Sequence, residues 1–146
     1  MEKLNKRDLY YFKKAYEISK LSDFPRVPIG CIAVYKKRII GIGYNSLKTS
    51  PIQAKYNALS GRKLMANKGR INEYIHAEID CLNMIRHMDV DFSKVRLYIS
   101  RKNMLGEIGS CKPCEACEYA IKELGIKTVY YTDKINKYIR EVYNDN

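Results

Sequence analysis

The chain has 146 residues, of which 46% are hydrophobic and 29% charged, a balance that excludes an intrinsically disordered protein and fits one ordinary domain. We therefore expect residues 1–146 to form a single domain with its own core. Neither a signal-peptide pattern nor an apolar run of about 18 residues is found, so we expect a cytoplasmic protein with no membrane partner. Since thiols stay reduced there, the five cysteines indicate metal binding or catalysis more than disulfides.

The net charge of +11 arises from 27 Lys and Arg residues against 16 Asp and Glu residues. A basic surface attracts nucleotides, nucleic acid or anionic membrane. The positive charges are spread along the chain, however, and a composition rich in Lys, Asn, Ile and Tyr can produce such a charge without any ligand. The charge therefore permits a nucleotide or nucleic-acid partner and identifies neither.

The N-terminal part predicts a helix followed by a strand hairpin. Apolar residues recur at helical spacing over about residues 4–20, at Leu9, Phe12 and Tyr16. This helix is expected to end at Pro25 and Pro28. Two short apolar runs, at residues 29–35 and 39–43, then predict the strands of a hairpin.

Helices and strands alternate in the rest of the chain. Residues 44–75 form a long polar connection with hints of a helix at Ile52, Tyr56 and Leu59. A helical stripe follows, at Ala77, Cys81, Met84, Ile85 and Met88. Residues 95–99 and 128–132 predict strands on either side of a helix that ends at Gly125, and a charged helix closes the chain. This order predicts an α/β sandwich whose last two strands are parallel across a helical crossover.

The stretch "CKPCEAC", residues 111–117, holds a pair of candidate metal ligands. Pro113 suits the first turn of a helix, and Cys114 and Cys117 then lie three residues apart on one face. The helix dipole favours two thiolates at this end of a helix, where both can bind one metal.

Cys111 leaves two alternatives open. As a fourth ligand it would close the site into a structural zinc ribbon. The C-x-x-C-x-x-C run also fits part of an iron–sulfur pattern, which needs a further cysteine. Cys31 and Cys81 are poor candidates for that role, because they fall on a strand and a helix that look buried.

A histidine can complete a mixed nitrogen–sulfur zinc site, and the sequence holds two, His76 and His87. They lie about 16 Å apart along a helix, so they cannot share a metal. His76 and Glu78 point apart on a regular helix and can meet in one site only off the helix end. His76 with the two cysteines leaves a fourth position for water, which is typical of catalytic zinc, and Glu78 is then placed to move protons.

These motifs resemble those of a known family. "HAE" at 76–78 and "PCEAC" at 113–117 match the H-x-E…P-C-x-x-C signature of zinc-dependent cytidine and deoxycytidylate deaminases. "VPIGCIAVYKKRIIGIGYN", residues 27–45, looks like the opening hairpin of that family. The resemblance implies a three-layer α-β-α sandwich with a mixed sheet of four to five strands.

The resemblance also implies roles for particular residues. Zinc would be held by His76, Cys114 and Cys117. Hydroxide would attack C4 of the pyrimidine while Glu78 protonates N3 and then the leaving amine, so that ammonia leaves. Substrate contacts would come from the side chain of Asn45, the backbone of Ala77 and the backbone carbonyl of Lys112.

Substrate and assembly stay open at this stage. The leading hypothesis is a free nucleotide such as dCMP; the alternative is a cytosine or adenine within single-stranded DNA or RNA. A zinc-bearing module without activity would not need Glu78. Two features depart from the family pattern. "NSLKTSPIQAKYN" is associated with phage-type and other uncharacterised members, and the chain is expected to end in a helix where many members add a fifth strand. The resemblance allows a homo-oligomer. A basic segment at residues 48–70 borders the site at both ends and is either a solvated face or a site for phosphate; its cations are Lys48, Lys55, Arg62, Lys63, Lys68 and Arg70.

Overall fold

A computed structural model describes residues 4–24, 27–60 and 74–144. In chain order, the elements are α1 (Lys6–Ser19), β1 (Ile29–Tyr35), β2 (Arg38–Tyr44), α2 (Pro51–Leu59), α3 (Ala77–Ile85), a 3-10 turn (Phe92–Lys94), β3 (Arg96–Arg101), α4 (Glu115–Leu124), β4 (Thr128–Asp133) and β5 (Lys137–Val142). The strands form one sheet in the order β2-β1-β3-β4-β5. As predicted, β3 and β4 are parallel across the α4 crossover, while the other neighbours are antiparallel.

Helices cover both faces of the sheet, which confirms the predicted three-layer α-β-α sandwich. On one face α1 packs against β1 and β3 over an aromatic cluster that includes Tyr11, Phe12, Tyr98 and Tyr130. On the other face α3 packs against β1 and β2, and α2 and α4 pack together over an aliphatic core. Both α3 and α4 direct their N-termini toward one end of this second face, where His76 and the cysteine pair meet.

The buried face of α1 differs from the predicted stripe. Leu9 is 44% exposed, whereas Asp8, Tyr11 and Ala15 are buried. Asp8 can be buried because its carboxylate accepts hydrogen bonds from the Tyr98 hydroxyl at 2.6 Å and its own helix cap. A polar residue thus lies on the face that apolar periodicity assigned to Leu9.

Helix α3 is shorter than the predicted stripe. It ends at Ile85, and Met84 and Met88 are exposed. His87 lies beyond the helix and is exposed as well, far from the histidine at the opposite end. As predicted, α4 stops at Gly125, which adopts the left-handed conformation with φ of 99°.

The predicted closing helix is wrong, because the chain ends in a fifth strand. The Asp133 carboxylate accepts hydrogen bonds from the next backbone N–H groups and turns the chain back, so that β5 pairs antiparallel with β4. Tyr138 then faces α1, with its ring centre 4.6 Å from that of Phe12, and Ile139 faces the opposite core. The charged residues on either side of this pair, Lys137, Arg140 and Glu141, are tolerated because β5 is an edge strand.

Two further predictions, the end of the first helix and the basic segment, involve residues that the structure does not fully describe. Helix α1 ends at Ser19, before Pro28, and Pro25 lies outside the described residues. Residues 61–73, with four of the six cations assigned to the basic segment, also lie outside them. In the part of the chain that the structure describes, no helix is both long and apolar enough to cross a membrane.

Candidate active site

Three side chains from two helix ends converge on one point. The Nδ1 atom of His76 lies 3.3 Å from the Cys117 sulfur and 3.4 Å from the Cys114 sulfur, and all ligand atoms lie within 4.8 Å of one another. Tetrahedral zinc, with nitrogen at about 2.0 Å and sulfur at about 2.3 Å, separates such atoms by about 3.5 Å. The geometry therefore fits a zinc ion, and Nδ1 is the ring nitrogen that faces it.

The convergence depends on where the two helices begin. His76 is the N-cap of α3 and Cys114 the N-cap of α4, and both have extended backbones, with ψ of 155° and 171°. Neither side chain makes a capping hydrogen bond, so each is directed off its helix end. The sequence suggested that Pro113 lies in the first turn of α4, but in the structure Pro113 precedes the N-cap. The positive ends of both helix dipoles point at the site and favour thiolates there.

The pKa values of the Cys114 and Cys117 thiols shift in opposite directions. The pKa of Cys114 is lowered to about 3, first by a hydrogen bond from the Cys117 thiol and then by His76. The pKa of Cys117 is raised by burial. Glu78 is 5% exposed; burial raises the pKa of its carboxyl, and the nearby His76 opposes that rise.

Cys111 takes no part in this group. Its sulfur lies 3.1 Å from the Thr132 hydroxyl and 3.4 Å from the Ile99 carbonyl, and burial raises the pKa of its thiol to about 12. Cys31 and Cys81 are fully buried in the core. Among the described residues, the group that could hold a metal contains one histidine and two cysteines, which disfavours both the zinc-ribbon and the iron–sulfur alternatives.

Gln53 supports the site and was missed by the sequence analysis. It is fully buried on α2, and its side-chain oxygen accepts a hydrogen bond from the His76 backbone N–H at 3.0 Å. Its amide nitrogen donates to Asn57 at 3.0 Å. Gln53 and Asn57 are polar and four residues apart, so on sequence grounds they resemble the exposed face of a helix.

Gly43 and Asp80 fix the N-terminus of α3 against β2. A Cβ atom at Gly43 would clash with the backbone of Ala77 and Cys81, so only glycine permits this approach. The Asp80 carboxylate accepts a hydrogen bond from the Tyr44 backbone N–H at 3.1 Å. The start of α3 is thereby held at the end of the hairpin.

A cavity of about 260 Å³ adjoins the cysteine–histidine group. Its polar lining includes His76, Glu78 and Cys114. Apolar and aromatic side chains also line it, from Phe24, Val27, Ile29 and Tyr74. All three predicted substrate contacts line the cavity: Asn45, Ala77 and Lys112. Lys48 and Lys55, the described members of the basic segment, do not line it.

Asn45 is held by its neighbours. Its side-chain oxygen accepts hydrogen bonds from the Ser22 hydroxyl at 2.7 Å and the Ile29 N–H at 2.9 Å, and its amide nitrogen donates to Val27 at 2.6 Å. An amide group has two acceptor lone pairs and two N–H donors, so the hydrogen bonds that Asn45 makes with the described residues leave one N–H for a ligand.

The sequence of residues 5–133 matches the family described as "Cytidine and deoxycytidylate deaminase zinc-binding region". The chain belongs to the cytidine and deoxycytidylate deaminase family. Members of this family are zinc-dependent hydrolases, which confirms the predicted enzyme class and metal at the level of the family.

Relatives within and around this deaminase family differ in what their names say they act on. The chain is 31% identical over 124 residues to the "tRNA-specific adenosine deaminase subunit tad2" of Schizosaccharomyces pombe, covering 83% of this chain but 24% of that protein. It is 26% identical over 126 residues to the "Deoxycytidylate deaminase" of Mycobacterium phage D29, covering 85% and 92%. The crystal structure of the dCMP deaminase from the cyanophage S-TIM5 has the same fold, with a TM-score of 0.61, 21% identity, and 92% and 88% coverage.

Proposed function

We propose that this protein is a zinc-dependent hydrolase that deaminates the cytosine base of a free nucleotide such as dCMP, producing the uracil nucleotide and ammonia. One observation carries the proposal: the group of His76, Cys114 and Cys117 and the buried Glu78 adjoin a cavity of about 260 Å³ that also has apolar and aromatic lining residues. A planar base with apolar faces and a polar edge fits such a cavity, with its reacting atoms beside Glu78.

The metal ligands in this proposal are His76 through Nδ1 and the sulfurs of Cys114 and Cys117. Zinc, when bound there, lowers the pKa of a water ligand from about 15.7 to about 7. Three protein ligands leave one position of a tetrahedral ion for that water.

Glu78 moves the protons of the reaction. Its carboxyl group is buried beside His76 and lines the cavity, within reach of both the attacking water and the base. Water adds to C4 of the ring, and Glu78 accepts the proton that the water gives up and delivers it to N3. Glu78 then takes the proton of the new C4 hydroxyl and gives it to the exocyclic amine. The bond between C4 and that nitrogen breaks as the C4 carbonyl forms, so that uracil remains and ammonia leaves.

The remaining contacts orient the nucleotide. The free N–H of Asn45 can donate to a sugar hydroxyl. Ala77 is the first residue of α3, where a helix leaves backbone N–H groups available, so its N–H can bind the base carbonyl. The backbone carbonyl of Lys112 can accept a hydrogen bond from the amine. Aromatic contact surface for the base is supplied by Phe24 and Tyr74, whose rings meet edge to face with their centres 6.0 Å apart.

A second candidate is deamination of cytosine or adenine within RNA or single-stranded DNA. The identity to the tRNA-specific adenosine deaminase subunit and the net charge of +11 favour it. A cytoplasmic location is proposed in either case, because five free cysteines, two of which line the cavity, are kept reduced there. A single domain and a homo-oligomer stay predictions.

An ammonia-release screen of the zinc-loaded protein tests the proposal. Its substrates are cytosine, deoxycytidine, dCMP and oligonucleotides that contain cytosine or adenine. We expect dCMP to be converted with the highest kcat/KM. Salt-sensitive conversion of an oligonucleotide without conversion of dCMP would favour the second candidate, and no ammonia from any substrate would contradict both.

A further inference from the structure

A second cleft lies next to the catalytic cavity. It has a volume of about 180 Å³, and Phe24 lines both spaces. Ser22 lines the cleft and donates its hydroxyl hydrogen to the Asn45 side chain, which lines the cavity, at 2.7 Å. The two spaces therefore share Phe24, and a hydrogen bond links the cleft to Asn45, the residue proposed to contact the sugar.

Two lysines from different parts of the chain converge on this cleft. The Lys102 ammonium lies 4.0 Å from the centre of the Tyr16 ring, and the Lys20 ammonium lies 5.1 Å from the same ring centre. Lys20 follows the end of α1 and Lys102 follows β3, so the tertiary structure brings them together. Neither forms an ion pair with any of the described residues.

This arrangement suits an anion. The electrons of the tyrosine ring hold both cations in place without neutralising them. No acidic residue is among the residues that line the cleft, whereas the cavity beside it is mostly apolar. An anionic group covalently attached to a base by about the length of a sugar would lie here when the base is in the cavity.

We infer that the cleft is a phosphate subsite, in which Lys20 and Lys102 bind the 5′-phosphate of the nucleotide whose base lies beside Glu78. The inference rests on the proposed function and narrows its substrate class to nucleoside monophosphates over nucleosides and free bases. Neither lysine belongs to the basic segment singled out from the sequence.

The test compares dCMP with deoxycytidine in the zinc-loaded protein. Lys20→Met and Lys102→Met each remove one charge, and Lys13→Met, at an exposed position of the same helix outside the cleft, is the matched control. We expect each cleft variant to lose roughly tenfold in kcat/KM for dCMP, the order of one charge-assisted hydrogen bond, and the double variant to lose about 100-fold. The value for deoxycytidine should change by less than about twofold, and the control should match the wild type with both substrates.

Equal losses with both substrates, or no loss with dCMP, would overturn the subsite. Loss with a cytosine-containing oligonucleotide but not with dCMP would also overturn it, since the lysines would then bind a polynucleotide backbone. If the wild type converts neither small substrate, calorimetry on the zinc-loaded Glu78→Gln protein tests the subsite by measuring the binding of dCMP and of deoxycytidine. Tighter binding of dCMP than of deoxycytidine that is lost in Lys20→Met/Lys102→Met supports the subsite, and equal binding rejects it.

Discussion

The buried polar groups on the two faces of the sheet differ in where their polar atoms point. Under α1, the Asp8 carboxylate is satisfied within the protein by the Tyr98 hydroxyl and the Asn5 backbone N–H. Under α3 and α4, the ligand atoms of His76, Cys114 and Cys117 converge on one point, and Glu78 lines the cavity beside it. The first arrangement pairs a buried polar group within the protein, whereas the second directs polar atoms at a space that a metal can occupy, so the direction of buried polar groups distinguishes the fold from the candidate site.

Removal of a proposed metal ligand should have the largest effect on the site under α3 and α4 and leave the packing under α1 unchanged. Cys114→Ser is expected to lose the zinc and all measurable activity, because the oxygen of serine is a poor zinc ligand at neutral pH. Zinc content by elemental analysis and ammonia release measure the two effects. Cys111→Ser is the matched control: it lies three residues away, and its sulfur contacts Thr132, so it should retain one zinc per chain. Loss of zinc in the control would make Cys111 a ligand.

Glu78→Ala tests the chemistry without removing the metal. We expect zinc content and the far-UV spectrum to be those of the wild type, while kcat falls by about 10²–10⁴-fold or more, since this residue acts in several proton transfers. Single-turnover kinetics with dCMP measure the loss. Near-normal turnover in this variant would reject the proposed mechanism.

Gln53→Ala should weaken the zinc site indirectly. The change removes the acceptor for the His76 backbone N–H, so we expect zinc affinity to fall by roughly tenfold, as for other outer-shell partners of metal ligands. Competition with a chelator measures the affinity. Gln53→Glu keeps an oxygen at this position and should restore most of it; an equal loss in both variants would indicate a packing defect and not the hydrogen bond.

Tyr98→Phe should affect stability and leave catalysis unchanged. It removes one hydrogen bond to the buried Asp8 carboxylate, so we expect the free energy of unfolding to fall by about 1.5–3 kcal/mol. Urea denaturation of the zinc-loaded protein measures this change. Tyr10→Phe, on the exposed side of α1, is the control and should have no such effect. A loss of kcat at a temperature where Tyr98→Phe is fully folded would show that the faces are coupled.

Local patterns in the sequence were sufficient for much of the fold. The hairpin, the two helices that carry the motifs and the parallel pair β3–β4 were predicted, because hydrophobic periodicity and turn residues act over a few positions. The same patterns failed where distant residues decide the outcome. Asp8 replaces Leu9 on the buried face because of Tyr98, ninety residues away, and the terminal segment forms a strand because β4 offers an edge for it to pair with.

The residue types of the candidate site could be chosen from the sequence, since zinc accepts few kinds of ligand and a proton carrier must lie near it. The motifs determined His76, Glu78 and the cysteine pair as candidates. Only the tertiary structure decided that Nδ1 faces the sulfurs, that Cys111 turns toward Thr132, and that Gln53 holds the His76 backbone. The type of a residue determines which atoms it can offer to a metal. The distances between segments some forty residues apart depend instead on how the sheet and helices pack, which no local pattern encodes.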